Sequence, residues 1–409
     1  GEFYQLFLLD PESGDSEMLT DGESRNGGAT WSHDGQWLAY QSTRRNGKSN
    51  DVWLMKPDNA EAARMIFESP DGSWWGPANF DRAGKQLLIQ NYVSITDSRI
   101  HLQDLASGET RILRGGGEPA SVNLAGEFDR DGKGFYFITD ENSDFRRLAY
   151  MDLAGGEVEV ITQDIDWDVE NFVLSDDGTR AVFEVNEDAV NRLYLMDPRS
   201  RKFRQVDRIP TGLISGLSFS PDGKRLAMTL NSSQTPSDVF TLELGEDALS
   251  SSGLTRWTYS EVGGLDTESF IAPELIHYPT FDGRDIPAFV YRPKGEGPHP
   301  VIVSIHGGPE GQSKPGFSSR TQLWLAQLGT AVVIPNVRGS SGYGKEYVAL
   351  DNGFKREDSV KDIGALLDWI ETQPDLDADR VAVYGGSYGG YMVLASLMHY
   401  SDQLRGAVD

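Results

Sequence analysis

A five-residue pattern returns along the first 260 residues and constrains their architecture. It reads WSHDG at 31–35, FDRAG at 80–84, FDRDG at 128–132, LSDDG at 174–178 and FSPDG at 219–223. The closing glycines, Gly35, Gly84, Gly132, Gly178 and Gly223, are 49, 48, 46 and 45 residues apart, a spacing that marks a repeated supersecondary unit. Each copy runs into an alternating apolar segment such as QWLAYQS, KGFYFIT or KRLAMTL. Asp-Gly between two such segments is a strong hairpin signal. A second hairpin follows, visible in IHLQDLASGETRIL and LYLMDPRSRKFRQV. Four short antiparallel strands per unit describe one blade of a β-propeller. Five full blades fit into 1–260, and residues 2–19 supply only the outer hairpin of another. A blade cannot bury its faces alone, so further chain is expected upstream of Gly1.

The recurrent aspartates raise the question of calcium, most of all in EFDRDGKGFYFI, where Glu127, Asp129, Asp131 and Gly132 fall at EF-hand spacing. That loop requires a carboxylate where Ile138 stands, and the same Asp-Gly recurs in other copies. Turn chemistry is therefore the reading, and no metal site is expected. In DGSWWG, residues 71–76, the aromatics are read as packing at a blade edge rather than as a ligand platform.

The rhythm changes after residue 260, giving a division into 1–260 and 261–409. ELIHYPTF, an Asp282-Gly283 turn and DIPAFVYRP form a leading hairpin. Continuous apolar runs follow in PVIVSIHGG, TAVVIPNVRG, RVAVYGGS and LRGAVD, suited to parallel strands buried on both faces. Between them DSVKDIGALLDWIETQ puts Val360, Ile363, Leu366, Leu367 and Ile370 on one helix face, with Asp358 as its expected cap and an end before Pro374. Strand and helix alternating over a buried sheet mean an open α/β domain.

Composition narrows the partners. Thirty-seven basic against 63 acidic residues leave a net charge of −26, which repels phosphate backbones and anionic lipid at long range. Nucleic acid and membrane surfaces are not expected partners. The chain has no cysteine, hence no disulfide framework, thiolate zinc site or cysteine nucleophile. Residues 381–401 carry no Asp, Glu, Lys or Arg, but four glycines gather in their first half. A buried strand, turn and helix fit that window better than a membrane span. Localisation and oligomeric state are not legible, since the chain opens on Gly1 with no basic targeting segment.

That window contains the chemistry. Gly385-Gly386-Ser387-Tyr388-Gly389 fits G-x-S-x-G, directly after the strand RVAVY and directly before the helix GYMVLASLMHY. A strained strand-to-helix turn of this kind lifts the serine hydroxyl clear of the sheet, and its glycines allow close backbone approach. Ser387 is thus the candidate nucleophile. IHGGPEGQ, residues 305–312, follows another strand where amides of Gly307 or Gly308, with that of Tyr388, could face a developing oxyanion. His306 in that loop is read as shaping it rather than acting as a base. NVRGSSGYGKEY, residues 336–347, is a Gly-rich loop at a strand end. It lacks the spacing of a phosphate cradle, and its Arg338 either anchors a substrate carbonyl or braces neighbouring loops.

Together these residues resemble the prolyl oligopeptidase family of serine peptidases, within it the acylaminoacyl-peptidase and dipeptidyl-peptidase-like branch. The resemblance is carried by the propeller repeats and then, in order, by FDGRDIPAFVYRP, VSIHGGPEG, NVRGSSGYG and YGGSYGGYM. It implies a β-propeller followed by an α/β-hydrolase domain, the propeller screening the active site so that only short peptides enter. It also implies Ser387 as nucleophile, the backbone amides of Tyr388 and Gly308 as oxyanion donors, and no metal or organic cofactor. No paired-glutamate segment of the kind dipeptidyl peptidases use is evident.

One part of the family pattern is missing. The resemblance places the catalytic Asp and His after the serine, and only 22 residues follow Ser387. The histidines are His33, His101, His277, His299, His306 and His399, none in a late loop, with His399 carried away on the helix behind the elbow. The expectation is a fragment truncated at both ends, inactive alone, from a serine peptidase of short peptides. An esterase on the same fold and a catalytically dead propeller binding module are the alternatives.

Overall fold

The computed structural model describes residues 2–409, which fall into two compact units, one ending at Ala181 and the other spanning Val182–Asp409. That division does not coincide with the end of the repeat: the last repeat strand is Ser251–Arg256 and the α/β sheet begins at Glu274.

In the first unit a two-stranded hairpin, Phe7–Leu9 with Ser16–Met18, precedes three four-stranded antiparallel sheets that start at Asn26, Trp74 and Asn123. Successive sheets stack through their apolar faces. Ala39, Val52 and Leu54 of one pack on Trp75, Phe80, Leu87 and Ile89 of the next, and Leu88, Ile100 and Leu102 pack in turn on Phe135, Phe137 and Ala149. A fourth sheet, whose second strand meets the division between units, opens at Asp168, and a fifth at Leu213.

The repeated pentapeptide is a turn in every copy. Gly35, Gly84, Gly132, Gly178 and Gly223 all adopt left-handed φ, from 63° to 68°. The aspartates supply turn hydrogen bonds: Asp34, Asp177 and Asp222 accept from Ser32, Ser175 and Ser220, and Asp81 and Asp129 accept the amides of Lys85 and Lys133. Among the described residues no cluster of three or more metal-ligating side chains occurs. In DGSWWG, Trp75 is buried and donates to Asp71, while Trp74 is partly exposed.

The second unit carries a six-stranded sheet. Its strands are β1 (Glu274–Pro279), β2 (Asp285–Tyr291), β3 (His299–Ile305), β4 (Ala331–Pro335), β5 (Leu376–Gly385) and β6 (Gly406–Val408), ordered β1-β2-β4-β3-β5-β6. The leading hairpin is antiparallel, and β4, β3, β5 and β6 run parallel, as the continuous apolar runs predict. Helices α1 (Ser319–Leu328), α2 (Arg356–Glu371) and α3 (Tyr388–Tyr400) connect or flank them. Alternation along β2 divides its side chains between two cores. Ala288 and Val290 join Val301, Val303, Val333, Val381 and Val383 under α2 and α3, whereas Phe289 and Tyr291 meet Leu325 of α1 and the hairpin residue Ala189.

Helix α2 corrects one expectation. It starts at Arg356, and its flanking residue Lys355 makes no side-chain cap, so Asp358 lies inside the first turn. A 3-10 turn, Gly353–Lys355, runs directly into the helix and removes the need for a cap. Asp358 and Glu357 still meet the positive end of the helix dipole. Residues 381–401 form strand, turn and helix, and no helix among the described residues is long and apolar enough to cross a membrane.

Candidate active site

The elbow is built where β5 ends and α3 begins. Ser387 stands at the N-terminus of α3 with φ 57° and ψ −123°, a left-handed conformation that non-glycine residues adopt only when the surroundings enforce it. Its carbonyl accepts from the amides of Gly390 and Tyr391 and so opens the helix. The flanking glycines differ in need. A Cβ on Gly389 would lie 2.3 Å from the Ile305 carbonyl oxygen, and one on Gly385 2.5 Å from the Gly389 carbonyl oxygen, whereas at Gly386 it would meet nothing within 4 Å. Steric exclusion therefore requires glycine at two positions of the motif and not at the third.

The loop after β3 lies against this turn. A Cβ built on Gly307 would sit 3.3 Å from Ser387 Cβ and 3.7 Å from its Oγ. The main chain of the HGGP segment thus borders the Ser387 side chain, and Tyr388 supplies the first amide of α3, one of the donors that a helix leaves without an internal partner. Gly308 follows at φ 144°.

His306 is part of that loop's framework. Its Nδ1 donates to the Gly307 carbonyl oxygen at 2.8 Å and its Nε2 lies 2.9 Å from Ser340 Oγ. Burial holds its pKa below the usual histidine range, so the ring is neutral near pH 7. His399, on the exposed side of α3, pairs with Glu357 at 3.2 Å. His277 pairs with Asp188 at 2.9 Å.

Arg338 is 3% exposed and bound on two sides by carboxylates. Nε and Nη2 meet Asp362 at 2.9 and 2.8 Å, Nη1 and Nη2 meet Asp282 at 3.0 and 3.2 Å, and the guanidinium carbon lies 4.4 Å from the Phe281 ring centroid. Burial opposes its charge, but the bonds to Asp362 and Asp282 hold its pKa above the ordinary arginine value.

Sequence reasoning missed a cluster around Tyr388. The phenol donates to Asp351 Oδ2 at 3.0 Å and lies 2.8 Å from Ser359 Oγ. Arg356 Nη1 reaches the same Asp351 oxygen at 3.0 Å, with its guanidinium 5.1 Å from the Tyr388 ring centroid. These partners stand 29 to 37 positions before Tyr388, and no local pattern marks them.

Residues 2–252 match the description "Prolyl oligopeptidase, N-terminal beta-propeller domain". The chain belongs to the prolyl oligopeptidase family. Residues 315–409, which hold α1 to β6 and the elbow, match "Prolyl oligopeptidase family" as well. The five blade-like sheets thus form a β-propeller region, followed by an α/β-hydrolase region. An uncharacterized peptidase of Bacillus subtilis, YuxL, is 26% identical over 407 residues, 96% of this chain and 54% of its own length. Dipeptidyl aminopeptidase BIII of Pseudoxanthomonas mexicana is 23% identical over 436 residues, covering all of this chain and 60% of its own. A crystal structure of puromycin hydrolase superposes with a TM-score of 0.82 at 19% identity, over 96% of this chain and 63% of that one. The chain spans about half to three-fifths of the length of the two relatives.

Proposed function

We propose that this chain carries the nucleophile of a serine-type peptidase acting on short peptides. The observation that carries the reading is Ser387 at φ 57° on the elbow, with the main chain of Gly307 beside its side chain. In the reaction, Ser387 Oγ attacks the scissile carbonyl while its proton passes to a histidine base. The amides of Tyr388 and Gly308 bind the oxygen that becomes negative. The amine leaves with that proton, and water then hydrolyses the acyl-enzyme.

The base and its orienting carboxylate are proposed to come from outside these 409 residues, and the division between propeller and peptidase domains to fall near residue 260. Engagement of His306, His399 and His277 with other partners supports the first point. The names of the relatives, among them a dipeptidyl aminopeptidase and a puromycin hydrolase, support a substrate with a peptide-like amide. For Arg338, its double carboxylate pairing supports the bracing role over substrate contact.

The test uses the protein as its gene encodes it. Hydrolysis of dipeptide and acyl-amino-acid p-nitroanilides, beside an aryl ester, is measured for the wild type and Ser387→Ala, with fluorophosphonate labelling mapped by mass spectrometry. Amide turnover and labelling that both vanish in the variant are expected. Turnover that survives Ser387→Ala would remove the proposal, and turnover of the ester alone would favour an esterase.

A further inference from the structure

We propose that Asp351 is a positioning residue for this reaction, fixing through the phenol of Tyr388 the first amide of α3 that faces the oxyanion. The inference rests on the peptidase reading of Ser387 and adds to it a residue outside every motif of the elbow.

Asp351 is fully buried. Its Oδ2 holds both the Tyr388 phenol and Arg356, while Oδ1 has no hydrogen-bond partner among the described residues. The backbone of the loop after β4 closes over it: Gly339 has φ 92°, and a Cβ there would lie 2.3 Å from Asp351 Cγ. The carboxylate therefore has no room to withdraw from the phenol. A buried carboxylate with one oxygen unsatisfied burdens the fold, so stability alone gives little reason for an acid at this point.

Its partner gives a reason. Tyr388 directly follows the strained Ser387, and a strained residue persists only where neighbours over-determine it. The ring is held at its tip by Asp351 and Ser359 and faces the Arg356 guanidinium. Turning the Tyr388 amide away from the nucleophile would swing the ring out of that clamp. Burial pushes the phenol pKa up to about 12, so it stays a donor throughout the neutral range. The clamp thus works through an uncharged hydroxyl and a fixed acceptor, and it ties the elbow to the segment before α2.

The test is a double-mutant cycle in the protein as its gene encodes it, with peptide p-nitroanilide kinetics and thermal unfolding of Tyr388→Phe, Asp351→Asn, Asp351→Ala and the Tyr388→Phe/Asp351→Asn pair, beside Ser387→Ala. Tyr388→Phe removes one oxygen and keeps the ring, so it reports even if the Asp351 variants fold poorly. The expected result is a kcat about tenfold lower in Tyr388→Phe and Asp351→Asn, with KM within about twofold. The pair should fall no further than the weaker single variant, and Asp351→Asn, which keeps an acceptor, should outperform Asp351→Ala. A kcat within about twofold of wild type in Tyr388→Phe, losses that multiply in the pair, or a change confined to KM would overturn the inference while leaving the peptidase reading intact. Activity that is absent from the wild type or survives Ser387→Ala would instead overturn the reading on which it rests.

Discussion

Arg338 and Asp362 meet in a two-pronged pair, Nε to Oδ2 at 2.9 Å and Nη2 to Oδ1 at 2.8 Å, with both side chains almost wholly buried. Asp362 also accepts the Arg338 amide at 3.1 Å and the Thr280 hydroxyl at 2.8 Å. One carboxylate on α2 thereby fixes the Gly-rich loop after β4 and the end of the leading hairpin. Removing it by Asp362→Ala strands a buried guanidinium and is expected to cost about 3–5 kcal/mol. Asp282 reaches solvent, its side chain one-third exposed, and Asp282→Ala is expected to cost about 1 kcal/mol or less. Urea unfolding of the two variants checks the ranking, and equal losses would count against it.

The elbow glycines make a second contrast. Gly389→Ala forces a methyl group to 2.3 Å from the Ile305 carbonyl oxygen, where backbone must shift, while Gly386→Ala places its methyl in open space. Gly389→Ala is expected to destabilise by about 1–3 kcal/mol or more, and Gly386→Ala by less than about 0.5 kcal/mol. Melting temperatures of the pair read the difference directly.

These two sets of residues also separate what the sequence discloses from what it hides. Turns and elbows are local: WSHDG and GGSYGG carry their own glycines and hydrogen-bonding side chains, so their conformations can be read within five to seven residues. The apolar runs of β3, β4 and β5 disclose burial on both faces, and the family resemblance joins them into one fold. The partners of Arg338 and Tyr388 are different. Asp362, Asp282 and Asp351 lie 24, 56 and 37 positions away, and an isolated aspartate in a helix or turn looks the same whether it faces water or a buried cation. Asp358 failed as a cap for a related reason. The residues that open α2 lie in a preceding 3-10 turn, and an acid in the first turn serves the dipole as well as an acid at the cap.

Ala189 tests how the fourth sheet's hairpin is seated within the second unit. It lies at φ 66°, fully buried against Phe289, Tyr291, Leu325 and Val332, with its amide on Asn186 Oδ1 at 3.0 Å. Ala189→Gly gains from a left-handed position and loses one buried methyl, each effect below about 1 kcal/mol, so near-neutral stability is expected. Ala189→Leu overfills the same space and is expected to cost about 1–3 kcal/mol. Comparable destabilisation in both variants would show that backbone strain is not relieved there.

Glu127 makes the first unit's stability depend on pH. Its Oε1 accepts the Leu174 amide at 3.0 Å, as Asn79, at the equivalent place in the preceding copy of the repeat, accepts from Phe128. Burial pushes the Glu127 carboxyl up to about 7 from an ordinary 4.5, and the Leu174 amide offsets only part of that. Between those values the folded chain keeps a proton that the unfolded chain has released, so stability falls as pH rises through that window and levels off above it. The span corresponds to at most about 3 kcal/mol. Glu127→Gln keeps the acceptor and, like Asn79, has nothing to titrate. Urea midpoints at pH 5 and pH 8 should differ less in the variant than in the wild type, and the variant should be the more stable of the two at pH 8. An unchanged pH slope would mean that Glu127 is ionised in the folded protein well below neutrality.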